Sequence, residues 1–244
     1  MITSLQNETI KELMKLKQKK YRDERGLFLV EGYHLVEEAR QHHCLKMIIT
    51  TQDDRYDEET LYISSNVMNK LAFTKTPQPI MGVCEKRQDA HIDENGKRYL
   101  LLDRLQDPGN VGTILRTALA FGYDQIIMSP DSVDLYNDKV IRATQGALFQ
   151  MEICVMNLKE AIIQLQQQQV NVYGTCLKNA SSIESYSLQK KMAFVMGNEG
   201  QGVSQDILDL CDYRVYIPIQ SIESLNVAIA AAITMYHFQG GKKE

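Results

Sequence analysis

Three short stretches concentrate the side chains that could do chemistry. In Asp107-Pro108-Gly109-Asn110 an acid and an amide sit at a turn, and Arg116 follows in the next helix, off its apolar stripe of Ile114, Leu115, Ala118 and Leu119. If Asn110 caps that helix, Arg116 lies about a turn and a half from its start, where a cation opposes the helix dipole by roughly a few tenths of a kcal/mol or more. Such a placement asks for an anionic ligand or a developing negative charge, or else it is a surface arginine that tolerates the cost. In Gly197-Asn198-Glu199-Gly200-Gln201-Gly202 three glycines surround one carboxylate. In the third stretch Ser221, Glu223 and Ser224 form a polar loop, Leu225 is its apolar member, and Asn226 is a good N-cap for the segment that follows.

The glycine-rich stretch matches neither familiar phosphate motif. Gly197 and Gly202 have P-loop spacing, but Val203 stands where the lysine belongs and Glu199 repels phosphate. Gly200-x-Gly202 runs on to Gln205, so the dinucleotide fingerprint fails as well. What remains is a strand end where backbone faces a ligand closely, and a nucleoside-triphosphate site is disfavoured.

These stretches need strands and helices to hold them. Beyond residue 98, β-rich runs at Tyr99–Asp103, Gln125–Ser129, Ile153–Met156, Val170–Leu177, Ala193–Gly197 and Arg214–Ile217 alternate with helical patterns near 111–121, 137–147, 158–168, 204–211 and 226–238. Alternation of this kind predicts an α/β domain with a mostly parallel sheet. Ligands of such sheets bind beyond the carboxyl ends of the strands, where all three stretches fall. Residues 226–238 are apolar nearly all round, with alanines at 228, 230, 231 and 232 that allow another backbone to approach. A helix without a solvated face is covered by its own domain, by a second subunit, or by both.

Before residue 87 the pattern is a compact αβ module. Strand-like runs occur at Leu27–Val30, Met47–Thr50, Leu61–Ile63 and Ile80–Cys84, and helices near 33–42 and 66–72. Ahead of them, residues 11–25 hold seven basic against three acidic residues, which reads either as a basic helix face for nucleic acid or as a merely solvated one. Arg87–Arg98 is polar and apolar-poor, so it divides the chain into domains 1–92 and 93–244.

The 244 residues, 44% hydrophobic and 24% charged, can bury a sizeable core. A net charge of −4 excludes a polycation, so a nucleic-acid partner is met by a local patch. Five scattered cysteines without a CxxC pair fit free thiols in a reducing cytoplasm, with no metal site expected. No apolar run approaches a membrane span.

Taken together, Asp107-Pro108-x-Asn110-x-Gly112-xxx-Arg116, Gly197-Asn198-Glu199-Gly200-x-Gly202, and Ile217-Pro218 with Ser224-Leu225-Asn226-Val227-Ala228 resemble motifs 1, 2 and 3 of the SpoU/TrmH family. Its members are S-adenosylmethionine-dependent RNA ribose 2′-O-methyltransferases of the SPOUT class. The resemblance also reaches residues 24–84, where ERGLFLVEGYHLVEEA is similar to the ribosomal-protein-like substrate-binding domain often attached in this family. The run Asn137–Arg142 also looks familial, whereas Thr144-Gln145 departs from the serine-containing version common there.

The resemblance implies a parallel sheet with a deep C-terminal trefoil knot, preceded by the small substrate-binding domain. It implies a methyl donor held near Gly197, Ile217 and Leu225, with Thr175 as a further contact, and a homodimer through the C-terminal domain. It implies catalytic roles for Arg116, Asn110, Glu199, Ser224 and Asn226. The expected substrate is ribosomal RNA by analogy; transfer RNA, or a non-catalytic RNA-binding assembly role, are the alternatives. The hydroxyl nucleophile gains negative charge as it attacks an activated methyl, so a positioned cation assists it. A guanidinium with a pKa above about 12 serves better as a fixed cation than as a base. A charge-assisted pair with Glu199 is the expected means of orienting Arg116.

Overall fold

The computed structural model describes residues 1–87, 91–221 and 224–239. Part of the expected linker, residues 88–90, and Glu223 of the third stretch lie outside the described residues. The chain forms two compact units, Met1–Gln88 with Asp134–Phe149, and Asp89–Val133 with Gln150–Glu244.

In the first unit, helices Glu8–Lys15 and Lys19–Arg25 precede β1 (Leu27–Glu31), β2 (Leu45–Thr50), β3 (Thr60–Tyr62) and β4 (Ile80–Glu85). The sheet order is β1-β4-β2-β3, with β4 antiparallel to both neighbours and β3 parallel to β2. Ile10, Leu13 and Leu16 bury against Leu29, Ile49, Val67 and Met81. Much of the basic stretch is consumed in building this unit. Lys17 Nζ donates to the carbonyls of Lys70 and Ala72 at 2.9 and 2.8 Å, closing the end of helix Ser65–Leu71, and burial pushes its pKa down. Buried Arg22 bonds the Leu16 carbonyl at 2.9 Å and pairs with Asp134. Lys11 pairs with Glu8, while Lys15 and Arg25 share Glu12. Lys19 and Lys20 have no such task among the described residues, and Lys20 lies over the Tyr21 ring.

Residues 134–149 pack with this unit, although the chain on either side belongs to the second. The cause is chemical: Asp134 supplies the carboxylate for buried Arg22, and the rings of Tyr136 and Phe149 lie 4.7 and 6.4 Å from that of Phe28.

The second unit is built on seven strands: β5 (Arg98–Leu102), β6 (Gln125–Met128), β7 (Glu152–Val155), β8 (Asn171–Thr175), β9 (Ser181–Ser182), β10 (Met192–Met196) and β11 (Tyr213–Tyr216). All pairings are parallel, in the order β7-β6-β5-β10-β8-β11-β9. The β10 strand, Met-Ala-Phe-Val-Met, is buried along its whole length, as a strand covered on both faces must be. β9 has no counterpart among the expected strands; at two polar residues it carries no pattern that sequence could show.

Helix Val227–His237 packs on helix Pro108–Ala120, its Ala228 and Ala231 are buried, and the Tyr236 ring lies 5.9 Å from that of Phe121. Another side of this helix is largely open among the described residues. Ile229, Ile233 and Tyr236 are 52%, 38% and 64% exposed and, spaced i, i+4 and i+7, form one apolar stripe. Among the described residues no helix is long and apolar enough to cross a membrane.

Candidate functional site

Strands β5, β10, β8 and β11 are parallel neighbours, so the loops that leave them emerge together at one end of the sheet. The loop after β5 ends in a helix that begins earlier than its sequence suggests. Asp107, not Asn110, is the cap: its Oδ1 accepts the Asn110 N–H at 2.8 Å. Pro108 takes the first helical position, where a missing N–H costs nothing and φ is already set. Asn110 therefore lies inside the first turn with its side-chain amide free for other use. Arg116 lies eight residues beyond Pro108, about 12 Å along the axis at 1.5 Å per residue. A helix dipole acts on charges within its first turn, so it places no demand on Arg116. The Arg116 side chain is exposed, and it forms no hydrogen bond or ion pair among the described residues.

After β10 the chain turns back tightly on itself. Asn198 and Gly202 exchange two backbone hydrogen bonds, of 3.1 and 2.8 Å. The Asn198 side chain locks the turn from inside, accepting the N–H groups of Gly200 and Gln201 at 3.0 and 3.1 Å and donating to the Arg104 carbonyl at 2.8 Å. A Cβ on Gly197 would lie 2.0 Å from the Val203 nitrogen and 2.1 Å from the Gly202 carbonyl carbon. The returning chain itself, rather than a ligand, requires glycine here.

Glu199 projects from this turn towards the loop after β5. Its Oε1 accepts the Asp107 N–H and the Asn110 Nδ2 amide, both at 3.1 Å, and its Oε2 accepts the Gln106 N–H at 3.2 Å. Burial pushes its pKa up, but the bonds from Asn110 and from the backbone outweigh that and hold it below the usual carboxylate range. Glu199 is thus an ionised acceptor that fixes the start of helix Pro108–Ala120. The expected pair with Arg116 is not made. The two candidates for Glu199, residues 110 and 116, are six apart on the helix, about 120° around it, and Asn110 occupies the near face.

Asn226 completes the chain of contacts. It caps helix Val227–His237 by accepting the N–H groups of Ala228 and Ile229 at 2.9 and 3.3 Å, and its Nδ2 donates to Asn110 Oδ1 at 3.0 Å. One amide–amide–carboxylate relay, Asn226 to Asn110 to Glu199, therefore ties the three sequence stretches together.

Beside the relay lies a cavity of about 810 Å³. Gly197, Thr175, Ile217, Leu225, Ser224, Glu199 and Asn226 all line it; Asn110 and Arg116 do not. Ile217, Leu225, Met196 and Leu208 give it apolar walls, and Thr175 donates its hydroxyl to the Val195 carbonyl at 2.7 Å, which leaves only its oxygen lone pairs for a ligand. Residues 176–179, after β8, form a further wall; the run Cys-Leu-Lys-Asn carries no motif that would have marked them. Two organising residues outside the expected set do carry a sequence signal: Asp107 in the Asp-Pro dipeptide, and Asn198 as an Asn between glycines.

This geometry agrees with what comparison shows. Residues 97–236 match the SpoU rRNA Methylase family, and residues 7–82 match the MRM3-like substrate binding domain. A relative from Bacillus subtilis, the 23S rRNA (guanosine(2553)-2′-O)-methyltransferase RlmP, is 36% identical over 98% of this chain and 99% of its own. An rRNA methyltransferase from Sinorhizobium meliloti is similar in structure with TM-score 0.89 at 30% identity, covering 97% of this chain and 95% of that one. Its AdoMet-bound form aligns with TM-score 0.88 at the same identity and coverage. The chain belongs to the SpoU family of S-adenosylmethionine-dependent RNA ribose 2′-O-methyltransferases.

Proposed function

We propose that this enzyme methylates the ribose of a guanosine in large-subunit ribosomal RNA, and that it works as a cytoplasmic homodimer. The observation that carries the site assignment is the Asn226–Asn110–Glu199 relay, which ties the first motif loop to the two motif loops that line the cavity. The ribosomal substrate is supported by the name of the Bacillus subtilis relative and by the match of residues 7–82 to a substrate-binding domain.

The cavity suits S-adenosylmethionine. Its volume lies within the range of about 300–1,000 Å³ usual for small-molecule sites, and its apolar walls fit a purine. An ionised carboxylate at the wall favours a cationic sulfonium, and Glu199 keeps acceptor capacity beyond its three bonds. Gly197, Ile217 and Leu225 would hold the cofactor mainly through main chain, with Thr175 lending an acceptor. When bound, the cofactor supplies an activated methyl group.

The chain's own residues then have to place the ribose hydroxyl and stabilise its developing charge. Asn110, Glu199 and Asn226 fix the loops, and Ser224 faces the cavity from the third. Arg116, free of protein partners among the described residues, is available to the RNA as a fixed cation. The homodimer is supported by the uncovered stripe of Ile229, Ile233 and Tyr236. In the trefoil knot of this reading, β11 lies beside β8 rather than β10, and the chain beyond it returns to the cavity at Ile217 and at Ser224, Leu225 and Asn226.

Mapping ribose methylation across ribosomal and transfer RNA in a deletion strain tests the substrate. Loss of one 23S guanosine methylation, restored by the wild-type protein, is the expected result. Loss of a transfer-RNA methylation, or no loss at all, overturns it.

A further inference from the structure

Arg104, the residue immediately after Asp103 at the end of β5, has φ of 56°, in the left-handed region that a side chain other than glycine seldom adopts. The surroundings enforce this conformation. The Arg104 N–H donates to Ser129 Oγ at 2.8 Å, and its carbonyl accepts Asn198 Nδ2 at 2.8 Å and Gln106 Nε2 at 3.3 Å. Asn198 is the same residue that locks the turn beside the cavity, so the Arg104 backbone and that turn are one rigid piece.

The side chain is equally constrained. Asp103, 3% exposed, accepts the Ser204 N–H at 2.8 Å and receives Arg104 Nε at 3.2 Å and, more weakly, Nη2 at 3.5 Å. Arg104 Nη1 donates to Oε1 of Gln201, itself a cavity-lining residue, at 3.2 Å. Those three bonds use three of the five guanidinium N–H groups, leaving one on each Nη. The Arg104 side chain remains one-third exposed. An arginine held by a buried carboxylate on one edge, with donors left over and open to water, is built to take a phosphate with little loss of freedom. Strain retained where a glycine would fit with none is of the kind that clusters at functional sites.

Resting on the assignment of this site to RNA methylation, we propose that Arg104 is a substrate-positioning residue that binds an RNA backbone phosphate at the rim of the cofactor cavity. It does not touch the reacting atoms. Its contribution is therefore to the affinity for RNA and not to the chemical step.

The test compares wild type with Arg104→Gln, which removes the charge but can still donate to Asp103, and with Arg104→Lys, which keeps the charge and loses the fork. Methylation of in vitro transcribed 23S RNA, RNA binding as a function of salt, and calorimetric S-adenosylmethionine binding are measured for each. For Arg104→Gln the KM for RNA rises about tenfold or more, kcat falls less than threefold, cofactor affinity stays within twofold, and the slope of log K against log salt decreases by about 0.7–0.9. Arg104→Lys retains the salt slope with an intermediate KM. If KM and salt slope are unchanged in Arg104→Gln, whether or not its melting point falls, Arg104 is only the counter-ion of Asp103 and the proposal is wrong. Should Arg104→Gln not fold, a wild-type KM in Arg104→Lys has the same consequence, because a fork-bound phosphate cannot be indifferent to that change. If wild type itself binds RNA without salt dependence, the RNA reading of the site fails first, which separates the two outcomes.

Discussion

Replacing Gly197 by alanine separates two reasons for a glycine at the cavity wall. If a ligand needs the backbone close, the cofactor-free protein tolerates the added methyl group and only cofactor affinity falls. The geometry says otherwise. A Cβ 2.0 Å from the Val203 nitrogen must gain about 1.4 Å to reach ordinary contact at 3.4 Å, and the atoms in its way are backbone. A shift of that size opens the turn and breaks the two Asn198–Gly202 hydrogen bonds. At about 1 kcal/mol net for each bond and about 1–3 kcal/mol for the overpacking, the cost is about 3–5 kcal/mol. For a chain of this size that lowers the melting midpoint by about 6–20 °C. The assay is thermal unfolding without cofactor, followed by a probe in the second unit because two units need not melt together. Cofactor binding should also be lost, since residues 197–203 line the cavity. A cofactor-free Gly197→Ala protein that melts with wild type while failing to bind S-adenosylmethionine would refute the packing argument and restore the ligand-approach one.

Four other outcomes follow from the site. Arg116→Ala should lower single-turnover methyl transfer about 10²–10³-fold, or about 2.7–4 kcal/mol, with cofactor binding intact; transfer within about threefold of wild type would remove it from the chemistry. In a double-mutant cycle, Asn110→Ala and Asn226→Ala should couple by about 0.5–1.5 kcal/mol in stability, beyond the capping loss of about 0.5–2 kcal/mol that Asn226→Ala carries alone; strict additivity would dissolve the relay. Ile233→Glu should give a folded monomer in sedimentation, whereas Ala231→Glu should unfold the protein, because Ile233 is 38% exposed and Ala231 fully buried; a dimeric Ile233→Glu protein would place the interface elsewhere. Glu199 has a folded pKa below its unfolded one, so its stabilising bonds are complete above the ordinary carboxylate range and are lost only as pH falls through the lower folded value. Calorimetric cofactor affinity should therefore stay level down to about pH 4.5 and lose its acid-side decline in Glu199→Gln; a wild-type midpoint above that pH contradicts the assignment.

The strands of the second unit were legible because a parallel sheet buried on both faces writes itself as short β-branched and aromatic runs, and β5, β6, β10 and β11 lie within about a residue of where those runs fall. The four residues assigned to the cofactor line one cavity because motif residues at strand ends converge wherever the strands are neighbours. Contacts across the site were not legible. Glu199 could be assigned to Arg116 on charge alone, but the helix start decides which face meets it, and Pro108 moved that start back towards Asp107. The packing of residues 134–149 with the first unit depends on a long-range pair, Arg22 with Asp134, that no local pattern announces.

That reassignment alters what Arg116 must be. With the dipole and the Glu199 pair both removed, nothing among the described residues orients its guanidinium, and a cation that is not oriented contributes little preorganised stabilisation. Groups beyond the described residues must then orient it. Two sources are chemically suited: the RNA phosphates, and a second protomer seated on the Ile229–Ile233–Tyr236 stripe. The stripe belongs to the helix that packs on the one carrying Arg116, and Tyr236 at its end meets Phe121, the residue just beyond that second helix. In this arrangement cofactor binding is a property of one folded chain, through the cavity and its bracing amides. Under the proposed homodimer, methyl transfer would then belong to the two-chain assembly with RNA bound, and dimer-breaking Ile233→Glu would lose it while keeping cofactor affinity.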